Sequence, residues 1–491
     1  MVSALVGGAL LLRLALLNSR SLWFDEAFSV AIARLPWSEG ARLIAKTDAH
    51  PPLYYLLLHL WLRLGDTPAV VRSFSVLCGV LTVLVTWLLG RTLGGRSLGA
   101  VSGVLAGASA LAIQASVEAR MYPLLALLTV VSTFLLWKAA SGASRWWLWG
   151  AYGVTVGLGF YVDYFAFLLI PAHVLYIALY HRRNHVVRLG FLLALAGALL
   201  AYAPWWPSVA GQLAEGRAHT VWKGRMPITA PLNMLALSSF GGYLLGLGGY
   251  LVDGGRWSWW QLPLVLPFLS LAAAGAVGMP RGGAAALLLG AWAVPVAMLV
   301  GASLATGVVY AVPRYVSFVH PFFIILVAQG ILTVASRDRR GVALVTLTAG
   351  IVALNLTVLG MASSDVRYQP YDWAGAARYV DDQWQPGDGL VFYPHTARVA
   401  FGYYFTQPAV KAVTLYPPPW TAKLTKAQLL EGVPPIPALV QNAERVWLIL
   451  TEPTPPGSTE ALLEVMERSY RRTRTGDFRH VWAVLYERRS R

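Results

Sequence analysis

Long apolar runs recur along the chain with short polar breaks between them, and that recurrence restricts it to a membrane-spanning fold. A helix needs about 20 apolar residues to cross the hydrocarbon core. Runs of this kind lie near residues 1–18, 69–90, 97–114, 121–137, 146–162, 164–180, 189–206, 261–279, 284–306, 315–335 and 341–360. They predict a polytopic α-helical membrane protein with about eleven transmembrane helices. Charged residues make up 13% of the 491, about half the share usual in a soluble domain, so lipid must solvate the bulk of the surface. The single cysteine, Cys78, lies inside an apolar run and excludes disulfide and zinc-finger frameworks. The first run lacks a basic leader and a small-x-small cleavage site, so it reads as a span and not as a secretory signal.

The net charge of +16 does not point to nucleic acid. Many basic residues sit in short clusters in alternate loops: Arg91 and Arg96; Lys138 and Arg145; Arg182, Arg183 and Arg188; Arg281; Arg337, Arg339 and Arg340. That pattern is a topology signal, and it makes these loops cytoplasmic. The expected location is the cytoplasmic (inner) membrane, with the N-terminus inside. An odd number of spans then puts the C-terminus on the outer face. Residues 51–64 (PPLYYLLLHLWLRL) are too short to cross and read as a helix in the outer interface. Residues 232–252 hold many glycines and read as a re-entrant or interfacial segment.

Composition changes after Met361. Tyr371–Trp384 has helical spacing. Gly389–Tyr393, Arg445–Leu450 and Val481–Tyr486 read as strands, and Ser458–Tyr470 as a helix. The expected organisation is a transmembrane domain over 1–360, with an outer loop at 19–68, and an extracytoplasmic α/β domain over 361–491.

Polar residues gather in the loops that this topology places outside. Asp25 and Glu26 follow the first span in Trp23-Phe24-Asp25-Glu26, and Asp48 and His50 close the same loop. Glu118 and Arg120 separate the third and fourth spans, Asp163 turns between the fifth and sixth, and Arg314 precedes the tenth. Carboxylates near hydrocarbon are costly and rarely idle. A carboxylate can take a proton from an attacking hydroxyl. Paired arginines bind phosphate through charge-assisted hydrogen bonds and stabilise it as it leaves. Plainer readings stand beside these. Asp25-Glu26 could cap a helix, the arginines could anchor to headgroups, and His50 could close its loop. Asp48-x-His50 is a weak metal candidate, because a complete site needs three or four ligands. Trp23 and Trp222 lie in outer loops where a ring could stack on a sugar.

These segments carry a resemblance. LWFDEAFS, TDAHPPLYYLLLHLWLRL, VEARMYPLLALL, PRYVSFVHP and DWAGAARYV together resemble the GT-C glycosyltransferases, in the family 39-like branch of protein O-mannosyltransferase and aminoarabinose-transferase relatives. The resemblance implies a GT-C fold and a single, inverting displacement on a polyprenyl- or dolichyl-phosphate sugar donor, with a lipid, glycan or protein acceptor. It makes Asp25 the general base and Glu26 its neighbour toward the acceptor. It makes Arg120 and Arg314 phosphate ligands. It puts His50 where relatives carry a lysine or glutamate near phosphate or metal. Asp163 departs from the His or Lys expected there. A transporter or flippase of lipid-linked sugars is the competing class. Such proteins place polar groups near the midplane in repeated halves, whereas here they cluster on one side and no repeat is seen.

Overall fold

A computed structural model of the chain describes residues 2–18, 20–48, 50–142, 145–214, 230–241, 262–280, 282–306, 313–336, 338, 340–364, 371–393, 397–407, 412–414, 443–451 and 458–489. They fall into two compact units. One comprises Met1–Asn18 and Ile32–Tyr368, the other Ser19–Ala31 and Gln369–Arg491.

The first unit is helical, and its helix lengths correct the expected fold class. Five helices among the described residues are long and apolar enough to cross a membrane: Pro68–Gly94, Tyr122–Ser141, His185–Ala214, Ala284–Thr306 and Val342–Ser364. Counting Arg96–Ala108 and Ala110–Ser116 as one span bent by 58° gives up to six, not about eleven. The remaining apolar runs form shorter helices, such as Val2–Leu14, Leu262–Val277 and His320–Ala335. The 13 residues of Val2–Leu14 rise only about 20 Å at 1.5 Å per residue, against a core of about 30 Å.

Hydropathy measures apolar length, but caps and breaks set helix length. Ser109 ends one helix and accepts a hydrogen bond from the Ala112 amide to start the next. Asp163 caps a 3-10 turn, Tyr164–Leu169, inside a run that reads as one continuous span. Pro321 opens His320–Ala335 as a separate helix, since its missing N–H costs nothing at a helix start. The placement of the C-terminus by counting crossings falls with the count. The segment 51–64 folds as Leu53–Trp61 followed by a 3-10 turn, Leu62–Leu64. Of residues 232–252, those beyond Gly241 lie outside the described residues.

Close backbone approach packs the unit. Leu262–Gly278 and His320–Ala335 meet through paired glycines. A Cβ on Gly330 would lie 1.8 Å from the Leu271 carbonyl oxygen, and one on Gly275 would lie 1.9 Å from that of Leu326. Small residues at such crossings let dispersion contacts hold helices that lipid does not drive together.

The second unit is a mixed five-stranded sheet. β1 (Gly389–Tyr393), β2 (Ala412–Thr414), β3 (Arg445–Thr451), β4 (Tyr470–Phe478) and β5 (Val481–Arg488) run in the order β2-β1-β3-β5-β4. β1 is parallel to β2 and β3, whereas β5 is antiparallel to β3 and β4. Helix Trp373–Asp381 covers one face through Trp373, Ala376, Ala377 and Val380. Helix Ser458–Ser469 covers the other through Leu462, Val465 and Met466. The Trp23-Glu26 segment belongs to this unit. The Leu22 amide donates to the Tyr404 hydroxyl at 2.7 Å, the Ala374 amide donates to Ser21 Oγ at 3.2 Å, and Ala27 packs in the core beneath Trp373.

Gly330→Ala should destabilise the helical unit by about 1–3 kcal/mol or more, because the added methyl meets backbone that cannot rotate away. Thermal unfolding of the purified full chain checks this. An unchanged midpoint would contradict the tight crossing.

Candidate functional site

Helix Phe24–Arg34 explains part of the first acidic motif. Trp23 holds the N-cap place and Glu26 the third helical position. The Glu26 carboxylate reaches back to accept from the Trp23 amide at 3.2 Å, which is one half of a capping box. Glu26 is fully buried and Asp25 half-buried. Asp25 sits in the first turn, where the helix dipole favours an acid. Trp23 is buried at the same helix start.

The other candidates lie in the helical unit. Asp48 follows helix Trp37–Thr47. One of its carboxylate oxygens lies 2.9 Å from His50 Nδ1, and the other accepts from the Tyr55 hydroxyl. Burial raises the Asp48 pKa. The adjacent His50, with Arg120 and Tyr55, more than offsets this, and the group ends below the usual carboxylate range. Both oxygens of Asp48 are thus engaged inside the loop. Among the described residues no three His, Cys, Asp or Glu side chains converge as a metal-binding group.

Arg120 is 4% exposed, in the turn before helix Tyr122–Ser141. Its amide donates to the Glu118 carbonyl at 2.8 Å, and its carbonyl accepts from Ser75 Oγ at 3.2 Å. Glu118 is nearly as buried. The Arg120 guanidinium lies over the Tyr122 ring, 5.9 Å from its centroid. Arg314, in the short helix Pro313–Val316, lies over Tyr315 at 5.3 Å. The two tyrosine rings are 6.0 Å apart, and Phe165 stands edge-on to Tyr315 at 5.0 Å. Two arginines from distant loops therefore rest on one aromatic ladder, each within cation–π range.

Asp163 closes the cluster. Its Oδ1 accepts from the Phe165 amide at 2.9 Å, while its buried Oδ2 has no hydrogen-bond partner among the described residues. Burial pushes this carboxyl up, against the pull of His50 and Arg120. The structure thus brings Asp48, His50, Arg120, Asp163 and Arg314 into one electrostatic neighbourhood within the helical unit. Trp222 lies outside the described residues.

Tyr122, Tyr315, Phe165 and Tyr55 were not among the sequence candidates. Tyr122 and Tyr315 stand beside the arginines in the quoted segments VEARMYP and PRY, but spacing alone does not show a ring beneath a guanidinium.

Residues 49–207 match the protein family described as dolichyl-phosphate-mannose-protein mannosyltransferase. No curated protein sequence matches the chain. Among solved structures, ArnT from Cupriavidus metallidurans in the apo state superposes with a TM-score of 0.61 at 16% identity, covering 99% of this chain and 97% of that one. The same protein bound to undecaprenyl phosphate gives 0.61 at 15% identity, with the same coverage. The oligosaccharyltransferase of Archaeoglobus fulgidus in the apo form gives 0.55 at 12% identity, covering 97% of this chain and 74% of that one. The chain shares the fold of these membrane-protein structures. The likeness to these structures is one of fold, and the family match over residues 49–207 overlaps two of the segments that carry the resemblance read from the sequence.

Asp163→Asn should raise the thermal midpoint at pH 8. A carboxyl whose folded-state pKa is raised loses stability as pH climbs past its unfolded value, and Asn keeps the Phe165 cap without the charge. The gain should fade toward pH 4. A lower midpoint at pH 8 would show the buried charge to be compensated.

Proposed function

We propose that the chain is an inverting glycosyltransferase that moves a sugar from a polyprenyl-phosphate donor to a hydroxyl acceptor. The pair of guanidiniums on the Tyr122–Tyr315 ladder carries this reading. Two guanidiniums on adjoining rings can clamp one phosphate through charge-assisted hydrogen bonds, and a lipid phosphate reaches that depth with its tail in the bilayer. The likeness in fold to ArnT from Cupriavidus metallidurans bound to undecaprenyl phosphate supports the same donor chemistry.

In this reading Asp25 takes the proton from the acceptor hydroxyl. The hydroxyl oxygen bonds to the anomeric carbon as the bond from that carbon to the phosphate oxygen breaks. The polyprenyl phosphate leaves, and Arg120 and Arg314 stabilise the charge it gains. His50, paired with Asp48, adds positive charge beside the phosphate when protonated. Glu26 fixes the helix start that presents Asp25. Trp23, Trp222, Glu118 and Asp163 are proposed substrate contacts. The acceptor is a lipid, a glycan or a protein.

The reaction would occur at the outer face of the cytoplasmic membrane. The cluster lies at the Tyr122 end of helix Tyr122–Ser141, and the basic Lys138 lies at the other end. Basic loop ends mark the cytoplasmic side, so the Tyr122 end would face out.

Asp25→Asn should lower turnover by about 100-fold or more, the usual contribution of a general base, while binding of undecaprenyl phosphate stays unchanged. Near-normal turnover of purified Asn variant on lipid-linked sugar would remove Asp25 as the base.

A further inference from the structure

A groove on the helical unit plays no part in the chemistry above. Helices Trp146–Val162 and His185–Tyr202 pack against each other. Gly190 approaches the Trp149 ring, a Cβ on Gly153 would lie 2.8 Å from the Ala194 carbonyl oxygen, and Gly157 faces Ala198. Each turn forward on one helix meets a turn forward on the other. The two helices therefore run the same way, with both starts at one end.

Between them lies a slot of about 520 Å³, within the about 300–1,000 Å³ usual for a ligand site. Trp146, Gly150, Val154 and Leu158 line one side, and Leu193 and Gly197 line the other. From Trp146 to Tyr161 its lining extends about 22 Å at 1.5 Å per residue. At the far end the Tyr161 hydroxyl donates to the Ala201 carbonyl at 2.9 Å. A Cβ on Gly150 or Gly197 would meet nothing within 4 Å. These two glycines open the slot, while Gly153 permits the close approach that forms its floor. Val154, Leu158 and Leu193 are exposed, and His185–Tyr202 belongs to a helix long enough to span a membrane. The slot thus opens on an apolar face, where lipid tails lie.

Charge sits at one end only. Arg145 precedes the first helix, Arg182 and Arg183 lie in the turn before the second, and Arg188 is in its first turn; all four are exposed. Neither residues 119–162 nor residues 164–214 contain an aspartate or glutamate. Trp146 lines the slot at this same end and is half exposed, as tryptophans are at headgroup depth. Asp163, beside the arginine cluster of the candidate site, is at the opposite end of the first helix. A second copy of the chain seated here at the same depth would bring its own four arginines against these, and like charges repel. A molecule with one slender apolar chain and an anionic head meets both demands.

We infer, independently of the sugar transfer proposed above, that this slot binds an anionic phospholipid. One acyl chain lies along Gly150 and Gly197, and the arginines at the helix starts hold the phosphate. Basic pockets between membrane helices suit such headgroups, through charge-assisted hydrogen bonds.

The test compares two lipids on the purified full chain in detergent, palmitoyl-oleoyl phosphatidylglycerol and the phosphatidylcholine with the same chains. Native mass spectrometry reads how much of each is retained. Phosphatidylglycerol should be retained about tenfold or more over phosphatidylcholine, since each arginine near an anionic headgroup adds about fivefold. Gly150→Leu with Gly197→Leu fills the slot from open space. It should abolish that retention while the chain still elutes as a folded monodisperse species. Should that variant fail to fold, Arg182→Gln with Arg183→Gln alters only an exposed turn and should cut retention about tenfold or more. Equal retention of the two lipids overturns the inference. So does retention unchanged in either variant, displacement of the lipid by inorganic phosphate alone, or a wild-type dimer that the leucine variant turns into a monomer.

Discussion

Two positive charges rest on neighbouring rings, Arg120 over Tyr122 and Arg314 over Tyr315, and the rest of the helical unit serves to keep them there. Guanidiniums so placed can share one anionic ligand through charge-assisted hydrogen bonds. The rings face the cations with their negative π surfaces and restrain them without neutralising them. Asp48 is spent on His50 and Tyr55, and the Asp163 carboxyl is driven toward its neutral form by burial.

Helix breaks put these groups in place. The bend at Ser109 and the turn that follows deliver Arg120, and the 3-10 turn after Asp163 delivers Phe165 edge-on to Tyr315. The short helix Pro313–Val316 presents Arg314 just before His320–Ala335 begins. Breaks of this kind leave backbone groups to be satisfied inside a membrane bundle. Ser109 Oγ and Asp163 Oδ1 do this by accepting from Ala112 and Phe165. The same breaks shorten the helices, which is why the candidate spans among the described residues number five or six.

This separates what could be read from the sequence from what could not. The membrane character, the positions of the long helices and three of the five strands follow from apolar runs and alternation, which are local. Strand β2 has only three residues, and β4 carries Arg471, Arg472, Thr473, Arg474 and Thr475 exposed in succession, so neither shows the alternation that marks a strand. The break at Ser109 could not be told from a whole run, since Ser109 is a single polar residue in apolar surroundings, whereas Asp163 reads as a turn between two runs and caps the 3-10 turn found there. The charged members of the site were visible because charge is rare in this chain. Their aromatic supports were not, because aromatics are common in it and a ring under a guanidinium is a tertiary fact. For Glu26 the plainer of the two readings offered by the sequence is the one the hydrogen bonding displays. Its acidity draws attention, yet its side chain caps the helix that bears Asp25.

The central claim is that Arg120 and Arg314 act on one phosphate. A double-mutant cycle on the binding of undecaprenyl phosphate tests it most directly, using Arg120→Ala, Arg314→Ala and the double variant in the purified full chain. Residues that share a ligand should show a coupling of about 0.5–3 kcal/mol, with each single change weakening binding and the double change costing clearly less than their sum. Strictly additive losses, or binding indifferent to either substitution, would contradict the shared site.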